Sequence, residues 1–312
     1  MQVKIAIQRY VKQLKEKGYA QKTILEYERF LGDYVFFLTA NEADRAPQIT
    51  EDLNKSYVRE RFYVMNQFGR QNSVGSRNNE IKAIRSFMRF LYEQELIKTP
   101  LAEKVSHYRE RVSRIPKDIL TKRELIKLFK QPDTATLTGY RDRMMMEVLY
   151  ATGMRRNELR CLRVDDIDYQ AKTVLIREGK GSKDRMVPIN ETALTYIRHY
   201  VEDVRPKLMK QYKSKQETNR LVLGTEKAEI HENTITSTLK TYFKQAKLKK
   251  KVTVHSFRHT CATHLLQKGM PLRHVQELLG HEKLDTTIRY LSLSVKDLQR
   301  EYRRYHPRSR LP

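Results

Sequence analysis

Apolar side chains recur at helical spacing through the first hundred residues, and a shorter period appears only after residue 170. Ile5, Ile7, Val11 and Leu14 fall near one helix face, and that run stops at Gly18. Thr23 can cap a second helix, whose apolar positions are Ile24, Tyr27, Phe30, Leu31, Tyr34 and Phe37. Thr50-Glu51-Asp52 opens a third, running toward Phe68-Gly69. Ser73 or Ser76 opens a fourth, with Ile81, Ile84, Phe87, Met88, Leu91 and Tyr92 on one side. Four amphipathic helices of this length predict a compact helical bundle over residues 1–101.

Beyond Leu101 the periodicity lapses. Val105 to Pro116 has no steady apolar face, is rich in arginine and ends in proline, so residues 102–119 read as a basic interdomain linker. Thr121-Lys122-Arg123-Glu124 is a capping box that restarts helical structure. A helix from about Thr138 to Thr152 ends at Gly153. Thr173–Arg177 and Arg185–Ile189 are then short strands joined by the glycine-containing tip Glu178–Asp184. Asn190 can cap the next helix, which Pro206 is expected to end. Further helices are expected near Glu232, His255, Pro271 and Asp285, and Ser294-Val295-Lys296-Asp297 looks like the cap of a last one. The expected fold class is therefore mainly α with a small antiparallel β-sheet. The second domain would cover 120–293, and a tail helix 294–312.

Composition narrows the possible partners. Of 312 residues 39% are hydrophobic and 32% charged, which is lean but sufficient for globular cores. No apolar run approaches the roughly 18 residues of a membrane-spanning helix. The opening Met1-Gln2-Val3-Lys4-Ile5 lacks the apolar stretch of a signal peptide. With two cysteines, Cys161 and Cys261, the chain is neither a disulfide scaffold nor a cysteine-rich zinc module, and a cytoplasmic protein is expected. The net charge of +25 asks for a polyanionic partner. Residues 1–110 hold 19 basic and 14 acidic side chains, whereas 111–312 hold 43 and 23, so most of the excess lies in the second domain. Lys240, Lys244, Lys247, Lys249, Lys250 and Lys251 form its densest patch, without an acid among them. That patch reads either as a solvated helix end or as a set of phosphate contacts. Charge alone does not separate DNA from RNA or an acidic surface, and Arg77 and Arg85 are the first domain's candidate contacts to such a polyanion.

Four short stretches carry candidate chemistry. In Ala151-Thr152-Gly153-Met154-Arg155-Arg156-Asn157-Glu158-Leu159 a glycine precedes the arginines, and Arg155 and Glu158 share a helix face. This is either a surface ion pair or an arginine held for an anion. Lys180 stands between Gly179 and Gly181 at the hairpin tip, as an ordinary turn lysine or as a donor carried close to a duplex. His255-Ser256-Phe257-Arg258-His259 puts His255 and Arg258 on one face. A metal site on His255, His259 and His264 is disfavoured, because the zincin glutamate is missing and Arg258 lies between the first two. Leu278-Leu279-Gly280-His281 closes a helix, and Tyr290 follows nine residues later. Two arginines, two histidines, a lysine and a tyrosine form a phosphoryl-transfer set that needs no acidic metal ligands. No phosphate-binding loop of the ATPase type is present.

In this order the motifs resemble the tyrosine recombinase (phage-integrase) family, and within it the Xer-type recombinases. The likeness runs over nearly the whole chain, including the Xer-like ending Tyr305-His306-Pro307-Arg308, with Met154 and Phe257 standing where leucine is usual. It implies a helical, SAM-like core-binding domain and a catalytic domain forming a clamp around duplex DNA. It implies Arg155, Lys180, His255, Arg258 and His281 as catalytic residues, Tyr290 as the nucleophile and Glu158 as the supporting acid. The chemistry it implies is cleavage and rejoining of DNA through a 3′-phosphotyrosyl bond and a Holliday junction, with no metal and no cofactor. The implied assembly is a homo-tetramer on synapsed DNA that is a monomer or weak oligomer when free, with tail helices exchanged between protomers. Work at the nucleoid would follow. A type IB topoisomerase-like enzyme shares this chemistry on one duplex. A non-catalytic architectural DNA-binding protein would account for the charge but not for the ordered set.

Overall fold

The protein is described by a computed structural model, covering residues 1–65, 69–108, 118–177, 184–211, 218–224 and 229–280. The chain divides into two compact units, Met1–Val112 and Ser113–Pro312. The first is built from α1 (Val3–Glu16), α2 (Gln21–Ala40), α3 (Glu51–Tyr63) and α4 (Val74–Glu93). Its core gathers Tyr10, Leu14, Leu31, Tyr34, Phe87, Met88 and Leu91. Thr50 and Ser73 cap α3 and α4 through their side-chain oxygens.

Three details depart from the spacing argument. Helix α1 buries Val3, Ala6, Tyr10, Val11 and Leu14, while Ile5 is 44% exposed, because the buried stripe starts two residues earlier, at Val3. Helix α2 begins at Gln21 without a side-chain cap, so Thr23 lies inside its first turn. Helix α3 stops at Tyr63 rather than near Phe68. The first unit also extends past Leu101. Leu101, Ala102 and Val105 are buried in its core, and Tyr108 exchanges hydrogen bonds with Asn78. Residues 102–108 thus belong to the bundle rather than to a linker.

The second unit contains α5 (Lys122–Phe129), α6 (Leu137–Thr152), α7 (Arg156–Cys161), β1 (Ile167–Asp168), β2 (Thr173–Ile176), β3 (Arg185–Pro188), α8 (Glu191–His199) and α9 (Arg205–Gln211), followed by α10 (Glu232–Gln245), α11 (Val254–Gln267) and α12 (Leu272–Leu279). The strands form an antiparallel sheet in the order β1-β2-β3, with Val174 opposite Val187. The capping box at Thr121–Glu124 forms in full. Helix α6 is buried on nearly every side through Met144, Met145, Met146, Val148 and Leu149, and it forms the axis of the domain. Asn190 caps α8, yet Pro206 does not end helical structure. A π-helical turn over Tyr200–Val204 absorbs the interruption, so Pro206 sits near the start of α9, where its missing N–H costs little. Cys261 and Ala262 of α11 pack against Val275, Leu278 and Leu279 of α12, and this small cluster fixes where α12 ends. No helix among the described residues is long and apolar enough to cross a membrane.

Candidate active site

The end of α6 sets the first arginine. Gly153 adopts a left-handed conformation, φ +61°, and turns the chain into α7. A Cβ there would come within 2.8 Å of the Leu279 side chain, so glycine serves both the turn and the close approach of α12. Arg155 is the N-cap residue of α7. Its backbone N–H donates to Glu158 Oε2 at 2.7 Å, and its guanidinium donates to Glu158 Oε1 at 2.7 Å and to the Gly280 carbonyl at 3.3 Å.

Glu158 is a bridge. From the start of β3, Arg185 also donates to both of its oxygens, at 3.0 and 2.8 Å. Burial alone would raise the Glu158 carboxyl. The Arg185 guanidinium, the Arg155 N–H and the Arg155 side chain outweigh that and hold it down at about 2. The carboxylate therefore stays ionised and fixes two guanidiniums at one place. Arg185 is a site residue the motif reading missed. It lies at the edge of the hairpin stretch, but its partner is 27 residues away.

Arg258, on α11, is 4% exposed and donates to the Gly153 carbonyl at 2.8 Å and the Leu279 carbonyl at 2.6 Å. Arg155 and Arg258, 103 residues apart in the chain, both reach the C-terminal carbonyls of α12. Gly280, at φ +64°, caps that helix and packs against Arg185. His255 stands on the exposed side of the first turn of α11. Desolvation by the surrounding protein, and then the cationic neighbours His259, Arg258, Arg156 and Arg155, push its pKa down, which favours the neutral ring.

Residues 118–296 match the phage integrase family, and residues 7–95 match the N-terminal SAM-like domain of phage integrases. The chain belongs to the phage integrase family. The tyrosine recombinase XerD of Staphylococcus saprophyticus is 35% identical to it over 307 residues, covering 97% of this chain and 99% of that protein. XerD of Staphylococcus epidermidis is 34% identical over 302 residues, covering 94% and 95%. A lambda integrase tetramer bound to a Holliday junction shares the fold, with a TM-score of 0.69 at 18% identity over 93% of this chain and 77% of that one.

In this tyrosine recombinase Lys180, His281 and Tyr290 lie outside the described residues, as does the capping box at Ser294. Helix α12 ends at Leu279 and is capped by Gly280, so the two arginines meet where the chain leads directly into His281. Among the described residues no group of three or more His, Cys, Asp or Glu is placed to hold a metal ion. The imidazole of His264 instead meets the Tyr150 hydroxyl at 2.9 Å.

The DNA-contact candidates separate. Lys240, Lys244, Lys247, Lys249 and Lys251 are exposed. Lys250 is drawn inward, donating to the Ile119 carbonyl and to Glu124, each at 2.8 Å. Arg77 is only 6% exposed; it donates to the Phe62 carbonyl and lies over the rings of Phe62 and Tyr108. It is a packing residue of the bundle and does not present its guanidinium to a duplex. Arg85 pairs with Glu103, which Arg89 shares.

Proposed function

We propose that Arg155 and Arg258 bind the non-bridging oxygens of a scissile DNA phosphate, and that Tyr290 attacks it. The observation that carries this reading is the convergence of both guanidiniums on the end of α12, with Glu158 and Arg185 bracing the first. Fixed guanidinium forks suit the charge that grows on phosphorus during in-line displacement. Attack by the Tyr290 hydroxyl forms a 3′-phosphotyrosyl bond and releases a 5′ oxygen, which Lys180 protonates. His281 donates a further hydrogen bond, and His255 assists the proton transfers. The phosphoester energy is kept in the protein–DNA bond, so the 5′ hydroxyl of a partner duplex can displace Tyr290 and exchange strands.

This protein is a site-specific tyrosine recombinase, a DNA strand-transferring enzyme. Four strands are cut in a full exchange, each by its own nucleophile, which calls for four protomers on two duplexes and a Holliday junction between the two rounds. The free protein would be a monomer or weak oligomer. The helix after Ser294 would dock on a neighbour through Val295, Leu298 and Tyr302. The exposed lysines between Lys240 and Lys251 would neutralise flanking phosphates. A DNA substrate implies work at the nucleoid in the cytoplasm.

The deciding experiment uses a nicked suicide duplex. Tyr290→Phe should bind the duplex as the wild type does and form no covalent adduct; an adduct in that variant would remove Tyr290 as nucleophile. Truncation before Ser294 should weaken tetramer formation more than the binding of one protomer to DNA. Assembly of unchanged size in light scattering would argue against tail exchange.

A further inference from the structure

The residues that open the second domain lie against α11, the helix that carries His255 and Arg258. The Leu120 N–H donates to Thr260 Oγ1 at 3.0 Å, in the buried core. The Ile119 carbonyl accepts from Lys250. Asp118 makes the contact of most consequence. Its carboxylate accepts from the Ser256 hydroxyl and, through both oxygens, from His259 Nδ1 at 3.0 and 3.1 Å.

These two partners bracket the site. Ser256 lies in the first turn of α11, where its Oγ accepts from the Thr253 N–H at 2.8 Å and closes the helix start. His259 directly follows Arg258, and its ring lies nearly parallel to that of His255, with centroids 6.5 Å apart and planes at 24°. One carboxylate thus grips the helix on both sides of Arg258 and touches the ring that neighbours His255. Burial alone would raise the Asp118 carboxyl, but the bonds from His259 and Ser256 bring it below the usual range. The first turns also pack into the domain core through Val254 and Phe257, and the turns after them are held by Thr260 on Leu120 and by Cys261 and Ala262 on α12. The Asp118 contact therefore acts on the turns that present the site.

We propose that Asp118 is a positioning residue for strand cleavage: through His259 and Ser256 it sets the height and rotation of the first turns of α11, and with them His255 and Arg258. Its hydrogen bonds run to Ser256 and His259, which flank those groups along the helix. Its effect is geometric, because small displacements of a group aimed at a reacting phosphate cost far more in rate than in binding. This rests on the strand-transfer reading above.

The test compares wild type, Asp118→Asn, Asp118→Glu, His259→Asn and the Asp118→Asn/His259→Asn double variant of the full chain. Single-turnover cleavage of a suicide duplex is measured beside duplex affinity and unfolding midpoint. Asp118→Asn should keep affinity within about twofold while cleavage falls on the order of 10- to 100-fold. Asp118→Glu should recover part of the rate, and Asp118→Asn should cost less in the His259→Asn background than alone, since the two substitutions share the Asp118–His259 contact and the Asn oxygen can still accept from Ser256. Cleavage at the wild-type rate in Asp118→Asn, fully additive losses, or a rate loss matched by equal losses of binding would overturn the proposal. Should Asp118→Asn fold poorly, His259→Asn alone decides: normal cleavage there overturns it as well. A wild type that forms no adduct would instead sink the strand-transfer reading.

Discussion

The two domains use the same groups in opposite ratio. In the first, the single guanidinium of Arg61 on α3 lies between two carboxylates, Asp33 of α2 at 2.8 Å and Glu80 of α4 at 2.7 Å. The Tyr57 hydroxyl donates to the same Glu80, and burial first, then Glu80, raises the Tyr57 pKa and keeps it protonated. In the second, the single carboxylate of Glu158 lies between the guanidiniums of Arg155 and Arg185. The first arrangement leaves a negative charge over and joins three helices. The second leaves a positive charge over at the end of α12. An anion would complete the second and would be repelled by the first. The stoichiometry of an ion network, as much as its depth, thus decides whether it offers charge to an anion.

The largest effect is expected from removing the central group of the second network. Glu158→Ala leaves two partly buried guanidiniums without the carboxylate they share, which should cost about 3–5 kcal/mol in chemical denaturation and abolish cleavage. The same carboxylate predicts an acid limb. Its pKa in the folded chain is about 2, against an ordinary value of 4.5. A lowered folded-state value contributes stability that is complete above the unfolded pKa and is lost as pH falls from about 4.5 toward 2. That contribution is on the order of 3 kcal/mol. Glu158→Gln should flatten that part of the stability–pH curve. A curve of unchanged slope would show that the two arginines do not depend on Glu158.

Neutralising the corresponding acid of the first domain should separate folding from chemistry. Glu80→Gln loses charged bonds to Arg61 and Tyr57 and should cost about 1–3 kcal/mol of stability. Cleavage per bound complex should stay at the wild-type level, as read by adduct yield at saturating duplex. A cleavage defect at full occupancy would erase the distinction between the two networks.

What the sequence could reveal follows the distance between partners. Arg155 and Glu158 are three residues apart, and helical spacing alone puts them on one face. The antiparallel hairpin of β2 and β3 was legible from its period and its glycines, whereas β1, only Ile167 and Asp168, is too short to show a period. The chain reads into its own bundle as far as Tyr108 because Leu101, Ala102 and Val105 are buried by α4, a contact that a broken local pattern conceals. Arg185 on Glu158, Arg258 on Leu279 and Asp118 on His259 are pairings across 27, 21 and 141 residues. Only packing decides them. Arg77 is the clearest misdirection: its type and charge fit a DNA contact, yet its place on α4 puts it between two aromatic rings.

The smallest effect repeats the comparison within one patch. Lys249 and Lys250 are adjacent and chemically identical, but Lys249 is exposed while Lys250 is held by Glu124 and the Ile119 carbonyl. Lys250→Ala should therefore lower stability by about 0.2–1 kcal/mol, the range of a partly exposed ion pair, and leave the salt dependence of duplex binding nearly unchanged. Lys249→Ala should do the reverse, leaving the unfolding midpoint in place. If Lys249 meets a phosphate, its loss should reduce the slope of log K against log salt by about 0.9, uniformly across DNA sequences. The comparison needs only binding isotherms at four or five salt concentrations and a thermal melt of each variant. Equal salt slopes in the two variants would mean that neighbouring lysines are interchangeable to DNA, and that the internal partners of Lys250 do not withdraw it from the surface field.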